Sequence, residues 1–334
     1  MIYKIIFNFF LLISPTLSYN FFNYWHCVGI INNIDLSKPY SVNIGELPIV
    51  IWKDNKKNKL FSTINICKHM GSKLDNGKIT ENGCLKCQYH GLEYSEKDIF
   101  GEIIDFEGKL YWSIDPIKPK PDSLPFFNNN NFEKSYLEID MDCSLTDSAF
   151  NTMDLRHPEF VHSQLVGGFG SSIPPENIKY FKYPNKDRVG LSFDYSSNRI
   201  VKMINDNIVQ TKNFHMYIYP CFSWSKVSIE KKNLIIGVNL LPIGVKKTRW
   251  YITICHNYYK SDIGKNFMKM ITQTILNQDF VQMQNQYIDN DLKDVILFKH
   301  IFNDEEPIIE LRKMFKDYKY PDIKDIVDLY MKKN

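Results

Sequence analysis

Cys67-Lys-His69 and Cys87-Gln-Tyr-His90 put one thiol and one imidazole on each of two short arms, with seventeen residues between His69 and Cys87. A thiolate and a neutral imidazole are both metal ligands. In extended backbone, residues two apart point to the same side, so Cys67 and His69 can face one site together. Gly71 and Gly91 close the two arms, and a glycine lets backbone N–H groups come close to a bound sulfur. Zinc modules usually pair like ligands on one knuckle, whereas each arm here is mixed. Cys84 and Cys87 imitate a zinc knuckle, but no second Cys-x-x-Cys exists to complete a ribbon. Cys84 therefore reads as a bystander thiol near the site.

A second constellation lies in NTMDLRHPEFVH, residues 151–162. His157 and His162 are five apart and would diverge on one straight helix. Pro158 disfavours helical geometry at His157, so a helix starting near Ser144 should end there and a turn should swing His162 back. Asn151, Asp154 and His157 recur at three-residue spacing and share a broad face. Two histidines with one carboxylate make the facial triad of a non-haem Fe(II) site, with positions open for dioxygen. The best carboxylate is Asp279 in LNQDFVQMQNQ (276–286), on a helix with Gln282 and Gln286 on nearly the same face. The competing reading of Asp279 is a solvated polar face. His26, His215, His256 and His300 lack partner spacing and read as packing or surface residues. NFHMYIYP alternates as a cavity-lining strand would, and equally as any half-buried strand would.

Mixed arms suit a 2Fe–2S cluster in which one iron takes two thiolates and the other two imidazoles, an exchange that raises the reduction potential. Cys-x-His-x-Gly followed by Cys-x-x-His-Gly resembles the Rieske domain. Many oxygenase members carry Trp after Tyr-His-Gly where this chain has Leu92; the ligand set is untouched, and the departure bears on the subfamily. NTMDLRHPEFVH is similar to the Asn-x-x-Asp-x-x-His-x4-His motif of Rieske non-haem iron oxygenases, with likeness to the vanillate/dicamba O-demethylase and pheophorbide a oxygenase-like branches. The resemblance runs from about residue 24 to 310 and is carried by the two motifs. It implies a Rieske cluster on Cys67, His69, Cys87 and His90, and a mononuclear Fe(II) on His157, His162 and Asp279. It gives Asp154 the part of a bridging carboxylate between an iron-bound histidine and a cluster histidine, His69 or His90, of a neighbouring subunit. Asn151 would stand beside the iron. The implied activity is that of a terminal oxygenase: O2 is activated and a small, mostly apolar or aromatic substrate is hydroxylated, dealkylated or desaturated. The implied assembly is a homotrimer. No nucleotide-binding glycine fingerprint follows a strand, so electrons must come from a separate ferredoxin or flavin reductase. The alternative is a Rieske electron-transfer protein with no oxygenase chemistry of its own.

The elements that must hold these residues follow from patterning. The chain has 334 residues, 44% hydrophobic and 14% aromatic, and a net charge of +3 without a long basic run. That suits a large buried core and argues for no nucleic-acid partner. Its seven cysteines are an odd number, which speaks against a disulfide framework. Residues 1–20 are apolar with one lysine, too short to span a bilayer. They suit a signal, targeting or anchoring segment, or an apolar arm docked on the fold. Organellar targeting or membrane association is the expectation, otherwise a cytoplasmic location. Short apolar runs at 47–52 and 60–66, split by polar residues and punctuated by glycines, predict a small all-β Rieske domain over 24–118. The Pro- and Asn-rich 119–132 reads as a linker. Over 133–320, a capped helix at 144–156, alternating runs at 214–220, 233–242 and 249–259, and helical patterns at 262–300 and from 305 predict the catalytic domain. The fold class is α+β: the all-β domain followed by a helix-grip-like antiparallel sheet with helices packed over it. Metal analysis of anaerobically purified protein is expected to find about three irons and two acid-labile sulfides per chain; zinc without sulfide would remove both iron sites.

Overall fold

The computed structural model describes residues 21–162, 175–183, 187–197, 209–285, 306–316, 318 and 323–332. The apolar segment 1–20, Gln286 and His300 lie outside the described residues. The chain divides into two compact units, one of Met1–Pro121 with Asp317–Asn334 and one of Asp122–Lys316.

Among the described residues, the strands of the first unit form three small antiparallel sheets. β1 (His26–Ile30), β8 (Glu102–Phe106) and β9 (Lys109–Ser113) form one; β2 (Tyr40–Ile44), β3 (Leu47–Asp54) and β4 (Lys59–Ile64) form the second. β5 (Lys78–Ile79), β6 (Leu85–Lys86) and β7 (Glu93–Tyr94) form the third. β3 has the continuous apolar run expected of a strand covered on both faces. Val50, Trp52, Phe61, Leu74, Leu85 and Tyr94 gather into one core, and Cys67 and Cys87 belong to it. The ligand arms thus grow directly from the packed interior.

Among the described residues, the second unit is a seven-stranded antiparallel sheet in the order β10-β16-β15-β14-β13-β12-β11. Its strands are β10 (Glu133–Met141), β11 (Glu176–Lys182), β12 (Arg188–Ser197), β13 (Val209–Ile218), β14 (Phe222–Ile229), β15 (Lys232–Gly244) and β16 (Lys247–His256). From β11 to β16 each strand pairs antiparallel with the next, and β10 pairs with β16 at the edge opposite β11. Asp140 faces Arg249 across the β10–β16 ladder, and the pair is bound at 2.6 and 3.1 Å. Leu124 and Phe132 are buried in this unit with Ile235 and Cys255. The stretch anticipated as a linker therefore packs in its apolar part onto the sheet that follows it.

Three helices carry the second constellation. α1 (Leu145–Met153) starts at Ser144 in a full capping box with Asp147, the Asp147 N–H donating to Ser144 Oγ at 3.2 Å. It is fastened to the sheet where the Trp250 indole N–H donates to Ser148 Oγ at 3.0 Å. The helix ends at Asp154 rather than at His157, three residues earlier than the sequence suggested. His157 opens a new short helix, α2 (His157–Val161), with Pro158 in its first turn. Proline there has no hydrogen-bond donor to lose, so it starts a helix instead of stopping one. α3 (Asp262–Gln284) buries Gly264, Met268, Thr272, Leu276, Asp279 and Met283, a single stripe at three- and four-residue steps. α4 (Glu306–Phe315) packs near α1 and β12, and α5 (Lys324–Lys332) belongs to the first unit. Ser144→Ala removes the cap of α1 and is expected to lower stability by about 1 kcal/mol, read as a reduced midpoint in chemical denaturation.

Candidate metal centres

The two arms of the first constellation have the same backbone plan. The Cys67 N–H donates to the Ser72 carbonyl and the Gly71 N–H to the Cys67 carbonyl, both at 2.8 Å. The Cys87 N–H donates to the Leu92 carbonyl at 2.8 Å, and the Gly91 N–H to the Cys87 carbonyl at 3.1 Å. Gly71 and Gly91 sit at φ of +71° and +77°, the left-handed region that a side chain disfavours. Asn65 pins the first arm from below, its Oδ1 accepting the Leu74 and Asp75 N–H groups at 2.7 and 2.9 Å. Both thiols are 2% exposed, whereas His69 and His90 are exposed and their rings lie 4.7 Å apart. Cys67 and Cys87 are within hydrogen-bond reach of each other, and both are free thiols. Burial pushes the Cys67 thiol up. The Tyr94 hydroxyl, the backbone N–H groups of His69 and Met70, and Cys87 outweigh burial and leave it lowered. Donors already aimed at a sulfur before any metal is bound are what a thiolate ligand needs, so the four residues fit a cluster with two sulfur and two imidazole ligands. Cys84 belongs to the β5–β6 turn, its N–H donating to Thr80 Oγ1 at 3.2 Å.

The second constellation converges on one oxygen. Asp279 Oδ1 lies 3.1 Å from His162 Nε2 and 3.5 Å from His157 Nε2, and Asn151 Nδ2 approaches it at 3.4 Å. One ligand atom from each of His157, His162 and Asp279 lies within 4.8 Å of the other two. Asp279 is 5% exposed, while Gln282 on the same helix faces solvent. The solvated-face reading of Asp279 fails because the residue sits in the buried stripe. Asp154 is half-buried; its Oδ1 accepts the Arg156 N–H at 2.9 Å, and its carbonyl accepts His157 Nδ1–H at 3.0 Å. His162 Nδ1–H donates to Gln278 Oε1 at 2.9 Å.

These bonds decide the protonation pattern. A carbonyl oxygen only accepts, so each Nδ1 carries a proton and Nε2 is the atom of each ring turned toward Asp279. Two lone pairs facing a carboxylate oxygen repel one another unless a cation or a proton sits among them. The donor set is two nitrogens and one oxygen, which suits a divalent iron. For His157, burial lowers the pKa most and Asp279 opposes it, with a lowered result. For His162, burial is again the largest influence, but Asp279 and Gln278 together reverse it and raise the value. The pair is electrostatically inequivalent although chemically alike.

Two residues escaped the sequence reading. Gln278 precedes Asp279 and orients His162; its only signal was adjacency. His215, read as a packing or surface residue, stands close enough to His157 to feel its charge, and burial pushes it down to about 4. One of its nitrogens bonds the Thr152 carbonyl, while its Nδ1 has no hydrogen-bond partner. Phe193 meets its ring edge-on at 5.1 Å.

Comparison with known proteins agrees with this architecture. Residues 24–108 match the Rieske [2Fe-2S] domain. The chain therefore contains a Rieske [2Fe-2S] domain, and its fold is similar to that of dicamba monooxygenase. It is 22% identical over 314 residues to the chloroplastic pheophorbide a oxygenase of Oryza sativa subsp. japonica, covering 79% of this chain and 56% of the relative. The chain thus spans about half the length of the curated relatives it matches first. The structure of dicamba monooxygenase bound to dicamba superposes with a TM-score of 0.72 at 14% identity, covering 88% of this chain and 96% of that one. Pseudomonas putida CBB5 NdmA with caffeine gives 0.72 at 15%, covering 90% and 92%. The cofactor of a Rieske domain is a [2Fe–2S] cluster. Gln278→Leu is expected to weaken mononuclear iron binding by about 10- to 100-fold, measured by iron titration of the apoprotein, with the visible absorption of the cluster unchanged.

Proposed function

We propose that this chain is a terminal oxygenase that acts with O2 on a small, mostly apolar or aromatic substrate and hydroxylates, dealkylates or desaturates it. The observation that carries the reading is the convergence of two imidazole Nε2 atoms on a buried carboxylate, in a chain that also contains a Rieske domain. An electron carrier has no use for that second centre. When bound, the two groups supply single-electron delivery and a site for activating dioxygen.

The chain's own residues have separable tasks. Cys67 and Cys87 hold the cluster from the interior, and His69 and His90 hold it from the exposed side. His157, His162 and Asp279 hold the mononuclear iron. The Asp154 carbonyl and Gln278 keep the two Nδ1 protons in place, which fixes both rings and makes Nε2 the ligand atom. Asn151 donates to Asp279 Oδ1 and thereby withdraws some of its negative charge. Asp154 bridges, through its carboxylate, to His69 or His90 of a neighbouring copy, and the working assembly is a homotrimer. A charge-assisted hydrogen bond there would align the donor and acceptor centres. Phe193 and His215 supply an apolar wall and one polar atom near His157, the usual composition of a small-molecule site. A separate ferredoxin or flavin reductase delivers electrons. Among the described residues, no helix is long and apolar enough to cross a membrane. The segment 1–20 directs the chain to an organelle or to a membrane surface.

The test pairs the protein with a promiscuous reductase and a panel of small aromatic and polycyclic substrates under labelled dioxygen. Label is expected in a product or in the released fragment. His157→Ala is expected to reduce turnover to background while the cluster's absorption and paramagnetic resonance spectra persist. Turnover that survives in this variant leaves only the electron-carrier reading.

A further inference from the structure

The last helix of the chain packs in the cluster unit, although some two hundred residues of the other unit separate the two in sequence. α5 buries Ile326 and Tyr330, and Tyr330 is 1% exposed. The Tyr330 hydroxyl donates to the carbonyl of Ile66 at 3.3 Å, immediately before the ligand Cys67. Lys68 Nζ lies 4.8 Å from the centre of its ring, and Phe100 meets the ring edge-on at 5.7 Å. Tyr330 is therefore clamped against both flanks of Cys67.

Its neighbour Tyr94 is also 1% exposed. The Tyr94 hydroxyl accepts the Lys68 N–H at 2.7 Å, which leaves its own proton to give. Two acceptors stand within reach of that proton, the Cys67 sulfur and the Tyr330 oxygen. A phenol has a single proton. The proton of Tyr330 is engaged by the Ile66 carbonyl, so Tyr330 meets Tyr94 as an acceptor.

We propose that Tyr330 is a positioning residue for the cluster, competing with the Cys67 sulfur for the one proton of Tyr94 and so setting the reduction potential. The inference rests on the reading of Cys67 as a cluster ligand. A hydrogen bond to a ligand sulfur withdraws electron density and favours the more negative, reduced cluster. Whatever share of the Tyr94 proton goes to Tyr330 is lost to the sulfur, so the second tyrosine holds the potential below the value that Tyr94 alone would give. The C-terminal helix is then part of the redox site, and displacing it would make the cluster easier to reduce.

The experiment is a redox titration of the cluster in the full-length protein, followed by visible absorption. Tyr330→Phe keeps the ring contacts and removes only the hydroxyl. It is expected to raise the midpoint, seen as a several-fold higher reduced-to-oxidised ratio at fixed poise. Tyr94→Phe is expected to lower the midpoint, and adding Tyr330→Phe to it is expected to change nothing further. An unchanged or lowered midpoint in Tyr330→Phe overturns the proposal. So does an equal shift in both backgrounds, which is the mark of a merely structural effect. Tyr330→Met provides a second hydroxyl-free variant with the same expected rise, and it decides the matter if the phenylalanine variant does not accumulate. Native protein without acid-labile sulfide would fail the cluster reading itself; a normal cluster whose potential ignores Tyr330 would fail this inference alone.

Discussion

The protons on Nδ1 of His157 and His162 are committed to fixed oxygens, and the second unit's chemistry depends on that constraint. One acceptor is the backbone carbonyl of Asp154 and the other is the side chain of Gln278. With those protons held, Nε2 is the atom of each ring that faces Asp279; it can bind a cation through its lone pair or, when protonated, donate to the carboxylate. Burial of Asp279 makes the arrangement costly unless a cation completes it. The site is thus a mould for positive charge, built by hydrogen bonds one bond further out than the ligands themselves.

That mould needs two independent frameworks. α1 is tied to β16 through Ser148 and Trp250, and the end of α1 at Met153 leaves the Asp154 carbonyl outside the helical ladder so that His157 can use it. α3 brings Asp279 and Gln278 from more than a hundred residues away. Its buried stripe is apolar or small except at Thr272 and Asp279, so the carboxylate is carried in by a helix whose docking is driven by apolar burial. Packing supplies the free energy and the polar residues use the position it fixes.

The cluster unit solves a different problem with the same logic. Its thiols belong to a hydrophobic core; burial pushes the Cys67 thiol up, yet the donors around it shift it the other way. The imidazoles lie outside, in reach of solvent or of another protein. One half of the site is thereby insulated and the other half is open, a polarity suited to passing an electron outward.

The sequence by itself determined the two arms that each join a thiol to an imidazole, the run of short strands before a mixed region, and most of the strands; it did not show that α5 belongs to the first unit. Those signals are local: spacing within an arm, alternation along β13, β15 and β16, and the Ser144–Asp147 cap are all contained in a dozen residues or fewer. The end of α1 was misplaced by three residues because Pro158 suits a helix start as well as a helix stop, and local sequence does not say which. Tertiary structure alone decided that Asp279 is buried, that Gln278 and the Asp154 carbonyl orient the rings, that His215 stands beside His157, and that α5 brings Tyr330 beside Cys67. Each of these is a long-range contact. It depends on which helix face docks on which partner, a property of the packed whole that no window of the sequence contains.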